Sequence, residues 1–343
     1  MKRRLKRCCA NVAAKFNTLS TTHILTHRHS VIMLNTLPLA RYRFCFAVQT
    51  PLRLPEYAGS MLRGAFGNAL RRTACMTREK DCKACPLYRS CPYPTIFETP
   101  PPETHTLQKF SQVPNAYVIE PPAWGERVYE IGEVLEFHMV LMGKALEQLP
   151  LIVFAWQRAF RHEVGHGTAE LIDIHYCSQT GEQRIMHASE GTLQKHSPQW
   201  EVGNVGNVVR LNFETPLRLQ DNGRAIPPAQ LTARDLLMTL TRRISLLLEL
   251  QMGLQSNFNF NHLLELASKT QFRHHLSWRD WTRFSSRQQQ SMQLGGAIGY
   301  WEFESLAPEF GALLELGQWL HVGKNASFGL GKYTLQNEGI HTL

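Results

Sequence analysis

The chain has 343 residues, 43% of them hydrophobic, which is enough for two ordinary domains with packed cores and excludes wholesale disorder. No apolar run reaches membrane-spanning length, so we expect a cytoplasmic protein without a membrane partner. The formal net charge of +9 suggests a polyanionic partner. However, residues 1–32 hold seven Lys and Arg and no acid, and the remainder has 30 basic against 28 acidic residues. An anion site must therefore be a local patch.

Residues 1–36 precede the first periodic segment. The basic, acid-free and Ser/Thr-rich composition of this extension is similar to that of a transit peptide, but it lacks the compact apolar core of a secretory signal. Two interpretations stand side by side. The extension is an over-long start, with Met33 as the natural initiator, or it is a flexible basic arm that touches nucleic acid. In both cases the fold is expected to begin at residue 37.

In chain order, the first half shows strand-like alternation and two helix-like segments. We predict strand, helix, strand, strand, helix and strand at Arg41–Val48, Gly59–Arg72, Asn115–Glu120, Val134–Met142, Ala145–Arg161 and Ala169–Cys177. The first helix has an apolar stripe, with Arg63, Gly67 and Arg71 at four-residue spacing on the opposite face. Such a basic stripe is either a solvated face or a set of phosphate contacts.

The second half repeats this order of elements. We predict them at Val208–Thr215, Thr232–Met252, Leu276–Ser285, Leu294–Glu304, Pro308–Trp319 and Phe328–Leu335. Thr232, followed three residues later by Asp235, is close to a capping box and marks the start of the helix. The order βαββαβ in each half is typical of a ferredoxin-like, RRM-like unit.

An internal repeat supports the same plan. The pentapeptide T-P-L-R-L ends a strand-like run twice, at Thr50–Leu54 and again at Thr215–Leu219. Repeats of this kind indicate architecture before local patterns do. The predicted fold class is therefore α+β, with tandem ferredoxin-like domains at 37–205 and 206–343 and a Cys-rich insertion at 75–92 in the first. The exposed sheet face of such folds commonly serves RNA-recognition modules.

The insertion holds four cysteines, Cys75, Cys82, Cys85 and Cys91, with six, two and five residues between them. Since no signal sequence is present, a reducing compartment is expected, where a cysteine cluster more often binds metal than forms disulfides. Four thiolates would satisfy tetrahedral Zn²⁺ in a structural site. Unmetallated thiols and an iron–sulfur cluster are the alternatives.

A glycine-rich loop precedes the last predicted strand. The stretch HVGKNASFGLGKY, His321 to Tyr333, is unlike the G-x-x-x-x-G-K-[ST] phosphate loop because strand formers, rather than a helix, follow it. Glycine lets a backbone lie close to a ligand, and lysine supplies positive charge. The stretch is thus either a ligand-binding loop or a tight connection before the strand.

Three segments together carry a resemblance to a known family: Glu56–Arg72, Cys85–Glu98 and Leu320–Tyr333. They resemble the CRISPR-associated RAMP superfamily, and most closely its endoribonucleases that process precursor crRNA. The resemblance implies tandem ferredoxin-like folds and binding of CRISPR repeat RNA, with CRISPR effector subunits as further partners. It also implies cleavage without a metal or other cofactor, by attack of the 2′-OH on the adjacent phosphate.

The resemblance turns the basic and glycine-rich segments into RNA-binding candidates. Backbone N–H groups of the loop glycines and the lysine charges would meet RNA phosphates. An aromatic in the loop either stacks on a base or simply packs. The predicted RNA-binding residues are Arg63, Arg71, Gly323, Lys324, Phe328, Gly329, Gly331 and Lys332.

The catalytic candidates are His321, His105 and Tyr57. His321 opens the glycine-rich loop and its imidazole suits acid–base work, although a histidine ending a helix is also favoured by the helix dipole. Family enzymes often carry a histidine in the first helix, where this chain has Asn68, which cannot exchange a proton near neutral pH. That departure favours one alternative, a non-catalytic RAMP subunit that holds crRNA within an effector complex. A zinc-stabilised nucleic-acid-binding regulator is a third possibility, supported by the basic N-terminal arm alone.

Other chemistries find no support in the residue patterns. His162 and His166 have helical spacing suited to a metal, but no third ligand accompanies them, so we interpret them as surface residues. Neither an H-E-x-x-H motif nor a Ser–His–Asp signature is visible. Cys45 and Cys177 lie in strand-like patterns and are expected to be ordinary buried residues.

Overall fold

The computed structural model describes residues 36–102, 113–201, 209–285 and 290–337. These residues belong to one compact unit, Val31–Leu343. The predictions for the basic extension up to residue 35, and the candidate base His105, lie outside the described residues. Within the described ranges, no helix is both long and apolar enough to cross a membrane.

The N-terminal half is built around one antiparallel sheet. Its strands are β1 (Leu39–Val48), β2 (Leu52–Leu54), β3 (Tyr117–Glu120), β4 (Arg127–Tyr129), β5 (Val134–Met142), β6 (Ala169–Cys177) and β7 (Glu182–His187). Its helices are α1 (Gly59–Ala74), α2 (Pro92–Phe97), α3 (Lys144–Glu147) and α4 (Leu149–His162). The sheet order is β3-β5-β1-β6-β7, while β2 pairs with β4 in a separate ribbon. The first four strands of that order, with α1 and α4, form a ferredoxin-like unit.

The C-terminal half has the same topology. Its strands are β8 (Val209–Leu217), β9 (Gln220–Asp221), β10 (Arg224–Ala225), β11 (Phe272–Ser285), β12 (Gln290–Phe303) and β13 (Tyr333–Asn337). Its helices are α5 (Ala233–Leu250), α6 (Phe260–Lys269) and α7 (Pro308–Leu320). The order β11-β12-β8-β13 is antiparallel throughout and repeats the strand order of the first half. The predicted α+β class with tandem ferredoxin-like folds is confirmed.

Each sheet buries one face under helices. On β1, Phe44 and Phe46 point to the helices, where the Phe46 ring lies 4.2 Å from Phe160 of α4 and the Phe44 ring 5.4 Å from Phe137. Burying each such side chain contributes roughly 1.5–3 kcal/mol. Because side chains alternate along a strand, the residues between them face away from the helices. Both sheets thus keep a second face that is more polar, and these open faces frame the sites described below.

The helix start predicted at Thr232 is confirmed. The Thr232 side chain accepts a hydrogen bond from the N–H of Asp235, and the Asp235 carboxylate accepts one from the N–H of Thr232, which completes a capping box for α5. Such a cap is typically worth about 1 kcal/mol. The helix α6, which was not predicted, is capped by Asn259, whose side chain accepts from the N–H of His262.

Several strand boundaries differ from the prediction, and two of them affect the candidate site. The last strand starts at Tyr333 and not at Phe328, because Phe328 ends a 3₁₀ turn that left-handed Asn325 and Gly329 bracket, with φ of 66° and 98°. Such residues interrupt an extended strand. The strand β11 begins at Phe272, earlier than the predicted Leu276, and with β12 it forms a long hairpin. This hairpin carries the exposed basic residues Arg273 and Arg279.

Candidate nucleic-acid interface

The glycine-rich loop, residues 321–332, packs against the N-terminal half. The Tyr57 hydroxyl donates a hydrogen bond to the Phe328 carbonyl at 2.9 Å. A Cβ atom on Gly59 would lie 2.0 Å from that same carbonyl oxygen, and one on Gly329 would lie 2.8 Å from the Ile119 carbonyl oxygen. The small residues here permit backbone-to-backbone packing between the halves, which is a structural use of glycine that the sequence does not distinguish from ligand binding.

The loop amides already have protein partners. Gly329 donates to the Ala326 carbonyl at 3.0 Å, and Gly331 donates to the Pro216 carbonyl at 3.1 Å. Both glycines have positive φ, 98° and 69°, which explains the residue type. In this conformation their N–H groups are therefore occupied by protein carbonyls, and their contact with RNA phosphates stays a prediction. Gly323, at φ 89°, stays partly exposed.

The two loop lysines differ in exposure. Lys324 is exposed, while its backbone N–H donates to the Arg218 carbonyl at 2.8 Å. The Lys332 ammonium forms an ion pair with Glu214 at 2.9 Å and is half-buried. Of the two, Lys324 has the geometry expected of a phosphate contact, since its side chain can reach solvent without breaking an ion pair.

His321 is fully buried where α7 ends. Its Nε2 lies 3.1 Å from a carboxylate oxygen of Glu120 at the end of β3, and its side chain is 0% exposed. Its Nδ1 atom has no hydrogen-bond partner in the described structure. A side chain without exposed surface cannot reach a bound RNA, so in this conformation His321 positions the loop, and its role as a proton acceptor stays a prediction.

The charge state of this buried pair follows from its surroundings. Burial lowers the pKa of His321 despite the Glu120 carboxylate, because a charged imidazole would bury a second N–H without an acceptor. Burial alone would raise the pKa of Glu120, but the hydrogen bond from His321 and the Arg41 guanidinium hold it well below its usual value. Arg41 donates to the other carboxylate oxygen at 2.5 Å. We therefore assign neutral His321 donating to ionised Glu120.

Tyr57 and Phe328 belong to an aromatic cluster between the halves. The Tyr57 ring lies 4.9 Å from Trp124 and 5.2 Å from Trp281 of β11. Tyr57 and Phe328 are each 4% exposed. Burial, followed by the Glu120 charge, raises the pKa of Tyr57 well above its usual value, so its hydroxyl stays protonated. Tyr57 therefore orients the loop and does not reach RNA here, and Phe328 packs, which was one of its two predicted interpretations.

The cysteine-rich insertion and the helix α2 that follows it cover the face of α1 that was predicted to contact RNA. The Arg63 guanidinium lies 4.3 Å from the centroid of the Phe97 ring of α2, and Arg71 donates to the carbonyls of Glu79 and Lys80 at 2.6 and 2.8 Å. Both arginines are half-buried. In this conformation they stabilise the insertion and α2, and their contact with RNA phosphates stays a prediction. The sequence could not show which face a later segment covers.

The exposed face of α1 is formed by the residues that each follow Arg63, Gly67 and Arg71 by one position. Gly64, Asn68 and Arg72 are exposed, whereas Gly67 is buried under the Phe97 ring. A Cβ atom on Gly67 would lie 2.3 Å from the nearest ring carbon, while one on Gly64 would meet nothing within 4 Å. The exposed Asn68 amide can form hydrogen bonds but cannot act as an acid or a base.

Replacing Gly64 and Gly67 by alanine should change the free energy of unfolding in opposite directions, although both lie in α1. Gly67→Ala should lower the free energy of unfolding by about 1–3 kcal/mol, because the buried Phe97 ring must move. Gly64→Ala should raise it by about 0.5–1 kcal/mol, since alanine loses less backbone entropy in a helix. Urea unfolding of both variants and the parent protein tests this. Equal effects at the two positions would contradict the packing of α2 on α1.

All four cysteines of the insertion line one small cavity of about 20 Å³. The thiols of Cys75, Cys82, Cys85 and Cys91 are free and partly exposed. They do not form a group of three or more ligand atoms that all lie within 4.8 Å of one another. The insertion thus brings the four predicted ligands together around one space, but side-chain rotations are needed before they could share a tetrahedral ion.

A cationic surface lies on the open face of the C-terminal sheet. We call it the open-face patch and define it as Arg210, Arg273, His275, Arg279 and Tyr300. His275 stacks on Tyr300 across the β11–β12 pair, with ring centroids 5.7 Å apart and planes at 22°. The Arg210 guanidinium lies 3.9 Å from the centroid of the Tyr300 ring. Planar groups of this kind offer stacking surfaces for bases.

The patch keeps an excess of positive charge. The buried Glu302 carboxylate pairs with both Arg210, at 3.2 Å, and Arg273, at 2.5 Å. Arg279 is exposed and its guanidinium lies 5.3 Å from the centroid of the Trp124 ring. Three arginines against one glutamate leave a net positive face, as expected of a surface that binds phosphate. The sequence interpretation missed Arg273 and His275 because it started β11 at Leu276. Arg210, Arg279 and Tyr300 lay within predicted strands, but nothing local indicated that they share one face.

Comparisons with known proteins give a family and a fold. A family model described as CRISPR-associated endoribonuclease Cas6 matches residues 211–333, and a model described as an N-terminal domain matches residues 37–198. A Cas6 product complex, its protein from Thermus thermophilus, has a TM-score of 0.53 at 13% identity and covers 87% of this chain and 100% of that chain. No curated protein sequence matches significantly.

A partial Cas6-RT-Cas1--Cas2 complex is also similar, with a TM-score of 0.51 at 16% identity. The match covers 90% of this chain and 48% of that longer chain. At such identities the structural likeness establishes the fold alone. The family assignment depends on the sequence match to the endoribonuclease model.

Tandem ferredoxin-like units with a glycine-rich loop between the last helix and the last strand define a RAMP-type protein. The match over residues 211–333 narrows this class. Over residues 211–333 the chain is similar to the CRISPR-associated endoribonuclease Cas6 family, which places it among the Cas6-like, RAMP-type proteins.

Proposed function

We propose that this protein cleaves CRISPR repeat RNA by internal transesterification and needs no metal for the chemistry. The ribose 2′-OH attacks the adjacent phosphorus, the P–O5′ bond breaks, and the products carry a 2′,3′-cyclic phosphate and a 5′-OH. This reaction needs a base at the 2′-OH, an acid at the leaving oxygen and positive charge at the phosphate. The observation that carries the proposal is the open-face patch, which supplies cations and a stackable surface on the half that matches the endoribonuclease model.

Within the patch, His275 is the candidate proton acceptor. Its imidazole is exposed on β11, between Arg273 and Arg279 on the same face. An imidazole can exchange a proton near neutral pH, and neighbouring guanidiniums can bind the scissile phosphate. His105 remains the rival candidate. The buried Tyr57 and His321 hold the loop in place beside this chemistry without taking part in it.

The proposal is tested with 5′-labelled cognate repeat RNA incubated with the full chain in excess EDTA. One cut that leaves a cyclic phosphate is expected, and an RNA with a 2′-deoxyribose at that position should bind but stay intact, because it lacks the nucleophile. Binding measured under the same conditions shows that the protein is folded. Cleavage of the deoxy substrate, or cleavage only with added metal, would refute the mechanism.

The chief alternative is a RAMP subunit that holds crRNA within an effector complex without cutting it. The observation that favours it is the exposed face of α1, which presents Asn68 and no histidine. The complex containing Cas6, RT, Cas1 and Cas2 supports other CRISPR proteins as partners in either case. Tight repeat binding without a cut in the EDTA experiment would select this alternative.

We also propose that Cys75, Cys82, Cys85 and Cys91 bind a structural Zn²⁺. The support is that one small cavity is lined by all four thiols, in a segment whose own apolar content is too small for an independent core. The ion would tie the insertion to α1 and has no part in the cleavage chemistry. Zinc content of the purified chain, compared with a variant that carries Ser at Cys82 and Cys85, measures this directly.

A further inference from the structure

The open face of the N-terminal sheet carries a second cluster of ligand atoms. His138 lies on β5, Cys177 ends β6 and Glu182 begins β7, where it faces Cys177 across the strand pair. Their ligand atoms all lie within 4.8 Å of one another. Among the residues that the structure describes, this is the one group of three or more His, Cys, Asp or Glu side chains with that property. The cluster is separate from the four cysteines of the insertion and from the open-face patch.

The spacing within the cluster suits a tetrahedral ion. The Cys177 Sγ atom lies 3.5 Å from Oε1 of Glu182. Ligand atoms around tetrahedral Zn²⁺ lie roughly 3.4–3.8 Å apart, which follows from Zn–N of about 2.0–2.1 Å and Zn–S of about 2.3 Å. One edge of the coordination tetrahedron is thus already present, and the His138 nitrogen needs only a small movement to join it.

A neighbouring residue holds one ligand in place. Arg43 donates to Oε2 of Glu182 at 2.6 Å, which leaves Oε1 directed at Cys177. An outer partner that orients a ligating carboxylate in this way is a usual feature of metal sites.

The surrounding charges do not repel a cation. The ion pairs at the cluster contain two arginines and three glutamates, one of which is the ligand Glu182 itself, and they sum to one negative charge: Arg41, Arg43, Glu120, Glu136 and Glu182. Lys332 also acts on His138, but its own ion pair with Glu214 offsets its charge. A divalent ion would therefore meet a slightly negative environment on a partly buried surface.

We propose that His138, Cys177 and Glu182 bind one divalent transition-metal ion, Zn²⁺ first among them, with the fourth coordination position open to water or an anionic ligand. A neutral imidazole, a thiolate and a carboxylate form a borderline-soft set that suits Zn²⁺ and Co²⁺ and disfavours Mg²⁺. On binding, an Sγ–metal bond replaces the Sγ–H bond of Cys177 and one proton goes to solvent. The proposal is independent of RNA cleavage.

The test is a Co²⁺ titration of the metal-free full chain, followed by thiolate-to-metal charge-transfer absorption. Cys177→Ser should lose one equivalent of bound Co²⁺ relative to the parent protein, whatever the insertion cysteines bind. Cys45→Ser is the matched control. The Cys45 thiol lies on the same sheet and donates a hydrogen bond to Glu136 at 3.3 Å, but it is outside the cluster. It should keep the full stoichiometry.

Variants of the other two ligands make the test independent of one substitution. His138→Gln and Glu182→Gln should each lower the affinity for the Co²⁺ ion bound at this cluster. The loss should be at least the roughly 10- to 100-fold that is typical of losing an outer partner of a metal site. They decide the question should Cys177→Ser fail to fold, as judged by circular dichroism. Unchanged stoichiometry and affinity in these variants would overturn the proposal.

Discussion

Replacing Glu120 by Ala is expected to lower the free energy of unfolding by about 3–5 kcal/mol, the usual effect of removing one partner from a buried charged pair. The carboxylate is 5% exposed and accepts hydrogen bonds from both Arg41 and His321. Its loss leaves the buried His321 N–H without an acceptor and Arg41 without a counter-ion. Urea unfolding followed by circular dichroism measures the change. Since Glu120 belongs to β3 and His321 ends α7, the same variant also loosens the glycine-rich loop.

Glu136→Ala is the matched control for this prediction. Glu136 lies on the same sheet and pairs with Arg43 at 2.8 Å, but its side chain is 45% exposed. Exposed pairs contribute about 0–1 kcal/mol, so the control should have little effect. The double variant of Glu120→Ala and His321→Ala should lose less stability than the sum of the two single changes, because the two residues share one interaction. Additive losses would show that they do not act as a pair.

Much of the fold could be predicted because its signals are local. The capping box of Thr232 and Asp235 lies within four residues, and the alternation of buried and partly exposed side chains along β1 is visible in ten. The repeated T-P-L-R-L marked the second copy of the plan. The predicted strand boundaries were wrong where residues with positive φ angles interrupt a segment of strand-forming residues, as Asn325 and Gly329 do.

The candidate site was harder to predict because its contacts are not local. The burial of His321 depends on Glu120, which is 201 residues away in the chain. The face of α1 that holds Arg63 and Arg71 is covered by α2, and nothing in the α1 sequence indicates this. Glycines serve tight packing and ligand approach equally well, so composition alone could not choose between the two uses.

The sequence did contain one signal of the open-face patch. Arg273, His275 and Arg279 occupy alternate positions of one strand face, which is a pattern that a period-of-two search finds once the strand is extended to Phe272. Their combination with Tyr300 could not be predicted, because the register that pairs His275 with Tyr300 depends on the length of the hairpin. The register of β11 on β12 is therefore what brings His275, Tyr300 and the arginines of the patch together.

His275→Ala is expected to lower the single-turnover rate of repeat cleavage by about 10²–10⁴-fold, the range for loss of a general base or acid. Its imidazole is exposed within the open-face patch and stacks on Tyr300 at 5.7 Å. His275→Phe separates the two roles of the ring, because phenylalanine keeps the stacking surface but cannot exchange a proton. It should bind repeat RNA nearly as the parent protein does while losing cleavage to the same extent as the alanine variant.

His274→Ala is the sequence-adjacent control for this prediction. His274 lies on the opposite face of β11, where its ring packs 4.8 Å from Trp301, so its replacement should affect stability and leave cleavage near the parental rate. His105→Ala tests the rival base. Full activity of both His275 variants, together with loss of cleavage in His105→Ala, would move the proton acceptor to His105 and leave the open-face patch with RNA binding alone, because a charged surface can hold the phosphates without supplying the base.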